Sequence, residues 1–221
     1  MIAVIVPAHN EEQLLASCLR ALGRAARAVS SMAEQVQVLV VLDDCSDASE
    51  AIVRAHGLEA LKVCARNVGH ARRAGAALML ERGARWLAFT DADSCVPVNW
   101  LRCQLAFAAD AVCGTVHVAD WQPHHSVALR ERYLAHYQAC EGHRHIHGAN
   151  LGICARAYEH VGGFKALALD EDVQLVHDLQ QRGAQIVWTT RNSVSTSSRR
   201  DCRVRGGFGD FLNSLDGPAP L

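Results

Sequence analysis

The sequence predicts an α/β domain with a mostly parallel β-sheet flanked by helices. Four apolar, β-prone segments alternate with helical segments over residues 1–95, which is typical of a parallel sheet with right-handed crossovers. Polar residues follow each of the four segments, and ligands of such sheets bind at the carboxyl ends of the strands. The chain has 221 residues, of which 50% are hydrophobic and 20% charged, as expected for one globular domain.

The first half of the chain is expected to form the parallel part of the sheet. Its second strand is almost continuously apolar, which is typical of a strand covered on both faces. Its first helix carries apolar residues at helical spacing along one side. Strands are predicted at residues 2–6, 36–42, 61–65 and 86–91, and helices at residues 11–28 and in the segments that end at Gly57 and Gly83.

The second half continues the alternation with more polar connections. Pro97 fits the first turn of a helix, and residues 121–147 combine aromatic residues with histidines. We expect residues 121–147 to form a polar helix and loop that face the cleft, in preference to a zinc site at the closely spaced His143, His145 and His147. A helix is predicted at residues 98–109, strands at 111–119 and 185–190, a helix from 169–172 to Gly183, and a loop at 191–206.

Composition limits the class of protein. The formal net charge of −1 indicates no general attraction to nucleic acid. Nine cysteines are scattered without a Cys-x-x-Cys pair, and Cys18, Cys64, Cys113 and Cys154 lie in apolar runs, which favours buried free thiols in a reducing cytoplasm. No apolar stretch reaches the ~20 residues that cross a bilayer, and no signal peptide is recognised. The expected location is the cytoplasm, either free or in peripheral contact with the inner face of the membrane.

Two carboxylates, Asp91 and Asp93, follow the fourth strand. At the end of a strand both can turn toward one crevice, and Mn²⁺ or Mg²⁺ prefers such oxygen ligands. The alternative is a polar turn that uses aspartate as a turn residue. No strand is followed by the glycine-rich motifs of dinucleotide or P-loop sites, so phosphates would be held by metal and basic side chains.

Several motifs, in their order and spacing, resemble family 2 glycosyltransferases with the GT-A fold. They are residues 6–12 (VPAHNEE), 41–47 (VLDDCSD), Asn67-Val-Gly69 with Ala71 and Arg73, 90–94 (TDADS), 148–154 (GANLGIC) and 158–164, which ends in Gly-Gly-Phe. The resemblance covers about residues 2–190. It implies a nucleotide diphosphate sugar as donor, a divalent metal, and usually inversion at the anomeric carbon.

Residues 1–221 are expected to form a single domain. The resemblance implies that residues 1–95 bind the nucleotide sugar and that residues 96–190 form the acceptor and catalytic half, while the arginine-rich composition of residues 191–221 predicts a basic, flexible C-terminal segment. Asp91 and Asp93 would hold the metal, and Asp44 would bind the base or ribose beside Asn10 and Glu11. The residues expected to bind substrate are Pro7, His9, Asn10, Glu11, Asp43, Asp44, Asn67, Arg73, Asp91, Ala92, Asn150, Glu171, Arg199 and Arg200.

Asp172 is implied as the catalytic base, because Glu171-Asp172 matches the Glu-Asp motif of the family. A sugar hydroxyl is a poor nucleophile until its proton is removed in the transition state. The alternative is that these acidic residues stabilise the N-terminus of their helix. The acceptor hydroxyl could belong to a sugar, a lipid carrier or a small molecule.

The basic segment has two interpretations. Arg199, Arg200, Arg203 and Arg205 could close over the donor diphosphate, since arginine suits phosphate oxygens, or could form a solvated charge run. No histidine follows His177, so the third protein ligand of the metal stays open or is water.

Two other classes of function are considered. A nucleotidyltransferase would also use paired carboxylates, but it usually carries a glycine-rich loop after its first strand, and residues 7–12 (PAHNEE) differ from such a loop. A catalytically silent binding module would keep the sheet, and the acidic residues at the strand ends argue against it.

Overall fold

The computed structural model describes residues 1–30, 34–199, 212, 214 and 215. The described strands are β1 (Ile2–Ala8), β2 (Val36–Asp43), β3 (Glu59–Val63), β4 (Trp86–Phe89), β5 (Ala111–Val118), β6 (Leu151–Cys154) and β7 (Ile186–Thr196). The helices are α1 (Leu15–Ser30), α2 (Ser49–Ala55), α3 (Val68–Glu81), α4 (Trp100–Ala106), α5 (Val127–His136), α6 (Ala155–His160) and α7 (Glu171–Gln181), and a 3₁₀ turn covers Gly148–Asn150.

The strands form one mostly parallel sheet in the order β3-β2-β1-β4-β6-β5-β7. β1 pairs in parallel with β2 and β4, and β2 pairs in parallel with β3. β6 runs antiparallel to both β4 and β5, and β5 pairs in parallel with β7. The predicted α/β class with a mostly parallel sheet is therefore confirmed. One sheet runs through both halves of the chain.

Two apolar layers cover the sheet, one on each face. Successive side chains of a strand point to opposite faces, so Ile2 and Val4 of β1 join one cluster while Ala3 and Ile5 join the other. Helices α1 and α4 contribute to the first cluster, and α3 and α7 to the second. β1 is buried along its whole length, which explains its continuous apolar sequence.

Gly75 lets α3 approach the sheet closely. A Cβ atom at this position would lie 2.7 Å from Cγ2 of Ile5 and 2.8 Å from Cγ2 of Val41, which is far inside ordinary van der Waals contact. The glycine thus allows the short packing distance between α3 and strands β1 and β2. It also sets the position of Arg72, which lies one turn earlier on the same face of the helix.

The last strand is longer than predicted. β7 continues to Thr196, although residues 191–196 were expected to belong to a polar loop. β5 pairs with this extension after a bulge between Gly114 and Val116, and Asn192 and Val194 are fully buried by it. The polar sequence predicts a loop here because an asparagine, Asn192, fills a buried position of the strand.

The described cysteines are free thiols. Cys18 and Cys113 are buried, as predicted, whereas Cys154 is only partly buried and Cys64 is exposed. Cys64 follows β3, which is an edge strand, and its apolar neighbours therefore do not enclose it. Of the helices in the described residues, none has both the length and the apolar character needed to cross a membrane.

Candidate functional site

A cavity of about 740 Å³ opens at the carboxyl ends of the parallel strands. Its walls come from the ends of β1 and β4, the loop after β3, the start of α3, residues 136–149, the first turn of α7 and the end of β7. Polar strand ends that are distant in sequence therefore meet at one site. The predicted site residues that line it are Pro7, His9, Glu11, Asp43, Asn67, Asp91, Ala92, Asp93, Glu171, Asp172 and Arg199.

Asp43 organises the floor of the cavity. Its buried carboxylate accepts hydrogen bonds from the backbone N–H groups of Ala65 at 2.7 Å, Arg66 at 2.9 Å and Asn67 at 2.8 Å. Its own carbonyl oxygen lies 2.6 Å from Nδ1 of His9. Asp43 therefore fixes the loop after β3 and the end of β1 against each other.

Asp44 and Asn10 lie outside the lining of the cavity. The carboxylate of Asp44 pairs with Arg66, and the hydrogen bond and charge of that guanidinium lower the pKa of Asp44. Oδ1 of Asn10 accepts from the backbone N–H of Ser46 at 2.8 Å, beside a second, smaller cavity. Both residues adopt positive φ, at 52° and 54°, so they shape the turns after β1 and β2.

Asp91 is held by an arginine that the sequence analysis did not select. Arg72 is buried; its Nη2 donates to Oδ1 of Asp91 at 2.6 Å, and its Nη1 donates to Oε1 of Glu171. The predicted residue, Arg73, is exposed and does not line the cavity. A signal for Arg72 was present, because positions 72, 75, 76 and 79 recur at helical spacing and form the buried face of α3.

Asp93 and Glu11 share a second arginine. Nη1 of Arg199 donates to Oε2 of Glu11 at 2.6 Å, and Nη2 lies 3.1 Å from Oδ2 of Asp93. Burial raises the pKa of Asp93 to about 6, against the opposing charge of Arg199. This arginine lies three residues after the end of β7, so its contacts connect the segments that follow β1, β4 and β7. Arg200, Arg203 and Arg205 lie outside the described residues.

Asp172 faces the cavity from the first turn of α7. Its Oδ2 accepts from the backbone N–H of Gly148 at 2.6 Å, and its Oδ1 accepts from the N–H of Val173 at 2.8 Å. The residue before the helix, Asp170, is left-handed with φ 59°. Burial raises the pKa of Glu171, while the charge of Arg72 opposes that rise.

Asn150 does not reach the cavity. Its side chain is fully buried and accepts from Nε1 of Trp100 at 2.9 Å. It donates to the carbonyl oxygens of Thr115 at 2.8 Å and Asn192 at 3.0 Å. The side chain of Asn150, which was expected to contact substrate, instead connects β5, β7 and α4. The neighbouring residues Gly148 and Ala149 line the cavity.

The remaining wall is aromatic and includes part of the predicted acceptor region. Tyr137 stacks on His145 with ring centroids 4.3 Å apart. Oη of Tyr137 accepts from the N–H of Val116 at 3.0 Å and lies 2.9 Å from Nε2 of His147, to which it can donate. Burial lowers the pKa of His147 to about 4, so this imidazole is neutral near pH 7.

The predicted metal ligands are the paired aspartates, Asp91 and Asp93. Within residues 1–30 and 34–199, no group of three or more histidine, cysteine, aspartate or glutamate side chains is arranged to hold a metal ion. The side chain of Asp91 is 37% exposed and that of Asp93 17%. Both line the same cavity and present carboxylate oxygens, which hard divalent cations prefer.

Solved glycosyltransferase structures share this architecture, which confirms the predicted GT-A type fold. TarS 1-349 of S. aureus in complex with UDP-GlcNAc is 15% identical, with 94% of this chain and 61% of that chain covered at a TM-score of 0.69. A mannosyltransferase from Pyrobaculum calidifontis in complex with GDP-Man and Mn²⁺ is 17% identical, with 99% and 65% covered at 0.67. Glucosyl-3-phosphoglycerate synthase from Mycobacterium tuberculosis with Mn²⁺, UDP and phosphoglyceric acid is 15% identical, with 90% and 71% covered at 0.65.

These identities establish the fold alone, and the chain spans only about three fifths of the TarS 1-349 length. A comparison with curated protein sequences finds no match. The family profile described as Glycosyl transferase family 2 matches residues 3–161, which is more than half of the chain. The chain therefore belongs to glycosyl transferase family 2.

Proposed function

We propose that this protein transfers a sugar from a nucleotide diphosphate sugar to the hydroxyl group of an acceptor, with inversion at the anomeric carbon and with Mn²⁺ or Mg²⁺. The observation that carries the proposal is the single cavity in which Asp91 and Asp93 at the end of β4 lie together with Asp172 at the start of α7. Relatives of the same fold are complexed with UDP-GlcNAc or with GDP-Man and Mn²⁺, which supports a nucleotide-sugar donor.

The donor would occupy the part of the cavity above the carboxyl ends of β1 and β2 and beside the loop after β3. A cavity of about 740 Å³ lies within the ~300–1,000 Å³ range of small-molecule sites. Pro7, His9 and Asn67 line this part, and the loop is held in shape by Asp43. Arg199 stands at the rim, where its guanidinium is suited to diphosphate oxygens.

The residues present fit a divalent metal. Asp91 and Asp93 would hold the ion, and diphosphate oxygens and water would complete its coordination, as is usual for Mg²⁺. When bound, the ion would neutralise charge on the departing nucleoside diphosphate. Arg72 and Arg199, which pair with the two aspartates, would keep the carboxylates oriented.

Asp172 would act as the general base. The acceptor oxygen attacks the anomeric carbon on the face opposite the diphosphate, and the bond between that carbon and the diphosphate oxygen breaks with its electron pair on the diphosphate. The acceptor proton passes to the carboxylate of Asp172. The hydrogen bond from Gly148 at 2.6 Å holds this carboxylate at the cavity wall between the acceptor side and the predicted metal site.

The acceptor side would be formed by Tyr137, His145, Leu169 and Val173, which line the same cavity. Its hydroxyl could be carried by a sugar, a lipid carrier or a small molecule, and the reaction would take place in the cytoplasm or at the inner face of the membrane.

A donor panel tests the proposed function. The protein is incubated with UDP- and GDP-sugars and MnCl₂, and donor consumption is followed by release of the free nucleoside diphosphate, with and without a mixture of glycoside acceptors. Acceptor-dependent release with at least one donor supports a transferase. Binding of a nucleotide sugar without any release would indicate a binding module, and release of pyrophosphate from a nucleoside triphosphate would indicate a nucleotidyltransferase.

A further inference from the structure

Arg72 connects two acidic residues that lie on different elements of the cavity. It projects from α3, and its guanidinium bonds Asp91, after β4, at 2.6 Å and Glu171, in the first turn of α7. The side chain of Arg72 is only 4% exposed, and that of Glu171 is 7% exposed. A planar guanidinium offers donors in a fixed fork, so engaging two carboxylates at once fixes both in direction as well as distance.

The same guanidinium lies against the backbone of Gly148. A Cβ atom at Gly148 would lie 2.3 Å from Nη2 of Arg72, so only glycine leaves room for the arginine. The N–H of Gly148 in turn donates to Asp172 at 2.6 Å. A continuous chain of contacts thus runs from Asp91 through Arg72 and Gly148 to Asp172.

We infer that Arg72 is a positioning residue that keeps Asp91, on the donor side, and Asp172, on the acceptor side, at the separation that sugar transfer requires. The inference rests on the proposed function and goes beyond it, because Arg72 need not contact donor or acceptor to act. Catalysis depends on near-attack geometry, and a misplacement of about 1 Å can lower a rate on the order of 10²-fold.

The conservative variant Arg72→Lys separates positioning from charge. Lysine keeps the positive charge, but its compact ammonium cannot reproduce the fork. We expect kcat for transfer to fall on the order of 10²-fold, with the Kd for the nucleoside diphosphate changed by less than about tenfold. The matched control is Arg82→Lys at the other end of α3, where Arg82 forms a surface pair with Glu59 at 2.6 and 2.8 Å. The control should keep the wild-type kcat.

A double variant keeps the inference testable if the single variant folds poorly. Arg72→Met together with Glu171→Met removes a buried charge and its partner, a change that proteins often tolerate in stability. We expect a melting temperature close to that of the wild type and a kcat that remains on the order of 10²-fold low.

The possible outcomes distinguish the positioning role of Arg72 from the proposed function. A folded variant of either kind that transfers sugar at the wild-type kcat would overturn the positioning role and leave the proposed function standing. A loss of donor binding as large as the loss of kcat would also overturn it, because Arg72 would then belong to the donor site. A wild-type protein inactive with every donor would reject the proposed function, and the positioning role with it.

Discussion

At the scale of single residues, the cavity contains four carboxylates that form ion pairs with two arginines. Arg72 pairs with Asp91 and Glu171, and Arg199 pairs with Glu11 and Asp93. Buried charges are tolerated when they are paired and hydrogen-bonded. Asp93 keeps a raised pKa of about 6 although Arg199 lies beside it. Single substitutions in the cavity should therefore affect the free energy of unfolding and the rate of transfer differently.

Asp93 should make the stability of the metal-free protein depend on pH. Burial raises its pKa from 3.8 to about 6, so the folded state holds the proton more tightly than the unfolded chain. The resulting stability is fully present below pH 3.8 and is lost as the pH rises through about 6. Because asparagine does not titrate, the free energy of unfolding of Asp93→Asn relative to wild type should rise by up to ~3 kcal/mol between about pH 4 and about pH 7.5.

Urea denaturation in EDTA at those two pH values measures the difference. A constant difference between variant and wild type would show that Asp93 ionises normally in the folded protein.

Asp172→Asn should slow sugar transfer strongly and preserve donor binding. Asparagine retains an oxygen that can accept from Gly148, but it cannot take the acceptor proton. We expect transfer to fall by a factor on the order of 10² to 10⁴ and donor affinity to change by less than about tenfold, or ~1.4 kcal/mol. The control is Asp178→Asn on the same helix, where Asp178 pairs with Lys165 on the surface. Transfer at a near wild-type rate by Asp172→Asn would show that Asp172 only caps α7.

At the scale of elements, the alternation of apolar and amphipathic segments located the strands and helices. It could not show that β6 runs antiparallel, because the direction of pairing leaves no trace in a four-residue segment. Polar residues in buried positions account for several of the other differences. Asn192 extends β7, the side chain of Asn150 connects strands outside the cavity lining, and Arg72 occupies the buried face of α3 where the family resemblance pointed to Arg73. In each case the partner that satisfies the polar group is distant in sequence.

Gly75→Ala tests how closely α3 packs on the sheet. The new methyl group would meet Ile5 at 2.7 Å and Val41 at 2.8 Å, and overpacking of a buried contact costs ~1–3 kcal/mol. Chemical denaturation should show this loss, and kcat should fall because α3 carries Arg72. The control is Gly23→Ala in α1, whose Cβ would meet nothing closer than Nη1 of Arg27 at 3.6 Å.

Because alanine is favoured over glycine in a helix, the control should be stabilised by about 0.5–1 kcal/mol. If Gly75→Ala were as stable as Gly23→Ala, α3 would have room to move away from the sheet without loss.

At the scale of the whole molecule, one sheet brings the predicted donor and acceptor sides together. β1, β2 and β4 supply the strand ends beneath the predicted donor, and β5, β7 and the 3₁₀ turn before β6 supply further lining residues. Arg199 links the segment after β7 to Glu11, which follows β1. The two sides therefore share polar contacts at the cavity as well as the apolar core.

Arg199→Ala should weaken binding of a nucleoside diphosphate in the presence of Mn²⁺. Charge-assisted bonds from arginine to phosphate are among the stronger hydrogen bonds, and we expect a loss of about tenfold or more in affinity, or ~1.4 kcal/mol. Titration calorimetry measures this loss. The control is Arg191→Ala, because Arg191, on β7, lies over the ring of Phe107 and outside the cavity lining. Equal affinities for the two variants would mean that Arg199 takes no part in binding the diphosphate.

Metal and nucleotide should stabilise the folded protein in a mutually dependent way. Two carboxylates without a third preassembled ligand in the described residues form a weak site for a cation alone, and a diphosphate alone would face the negative charges of Asp91 and Asp93. Together they complete each other's coordination, and a ligand that binds only the folded state raises the melting temperature in proportion to RT ln(1 + [L]/Kd). With either GDP or UDP, MnCl₂ should therefore raise the melting temperature by more than the sum of the two separate shifts. Asp93→Ala should remove this excess and leave the protein folded by circular dichroism. Additive shifts in the wild type, or full transfer activity in excess EDTA, would place the metal outside this site.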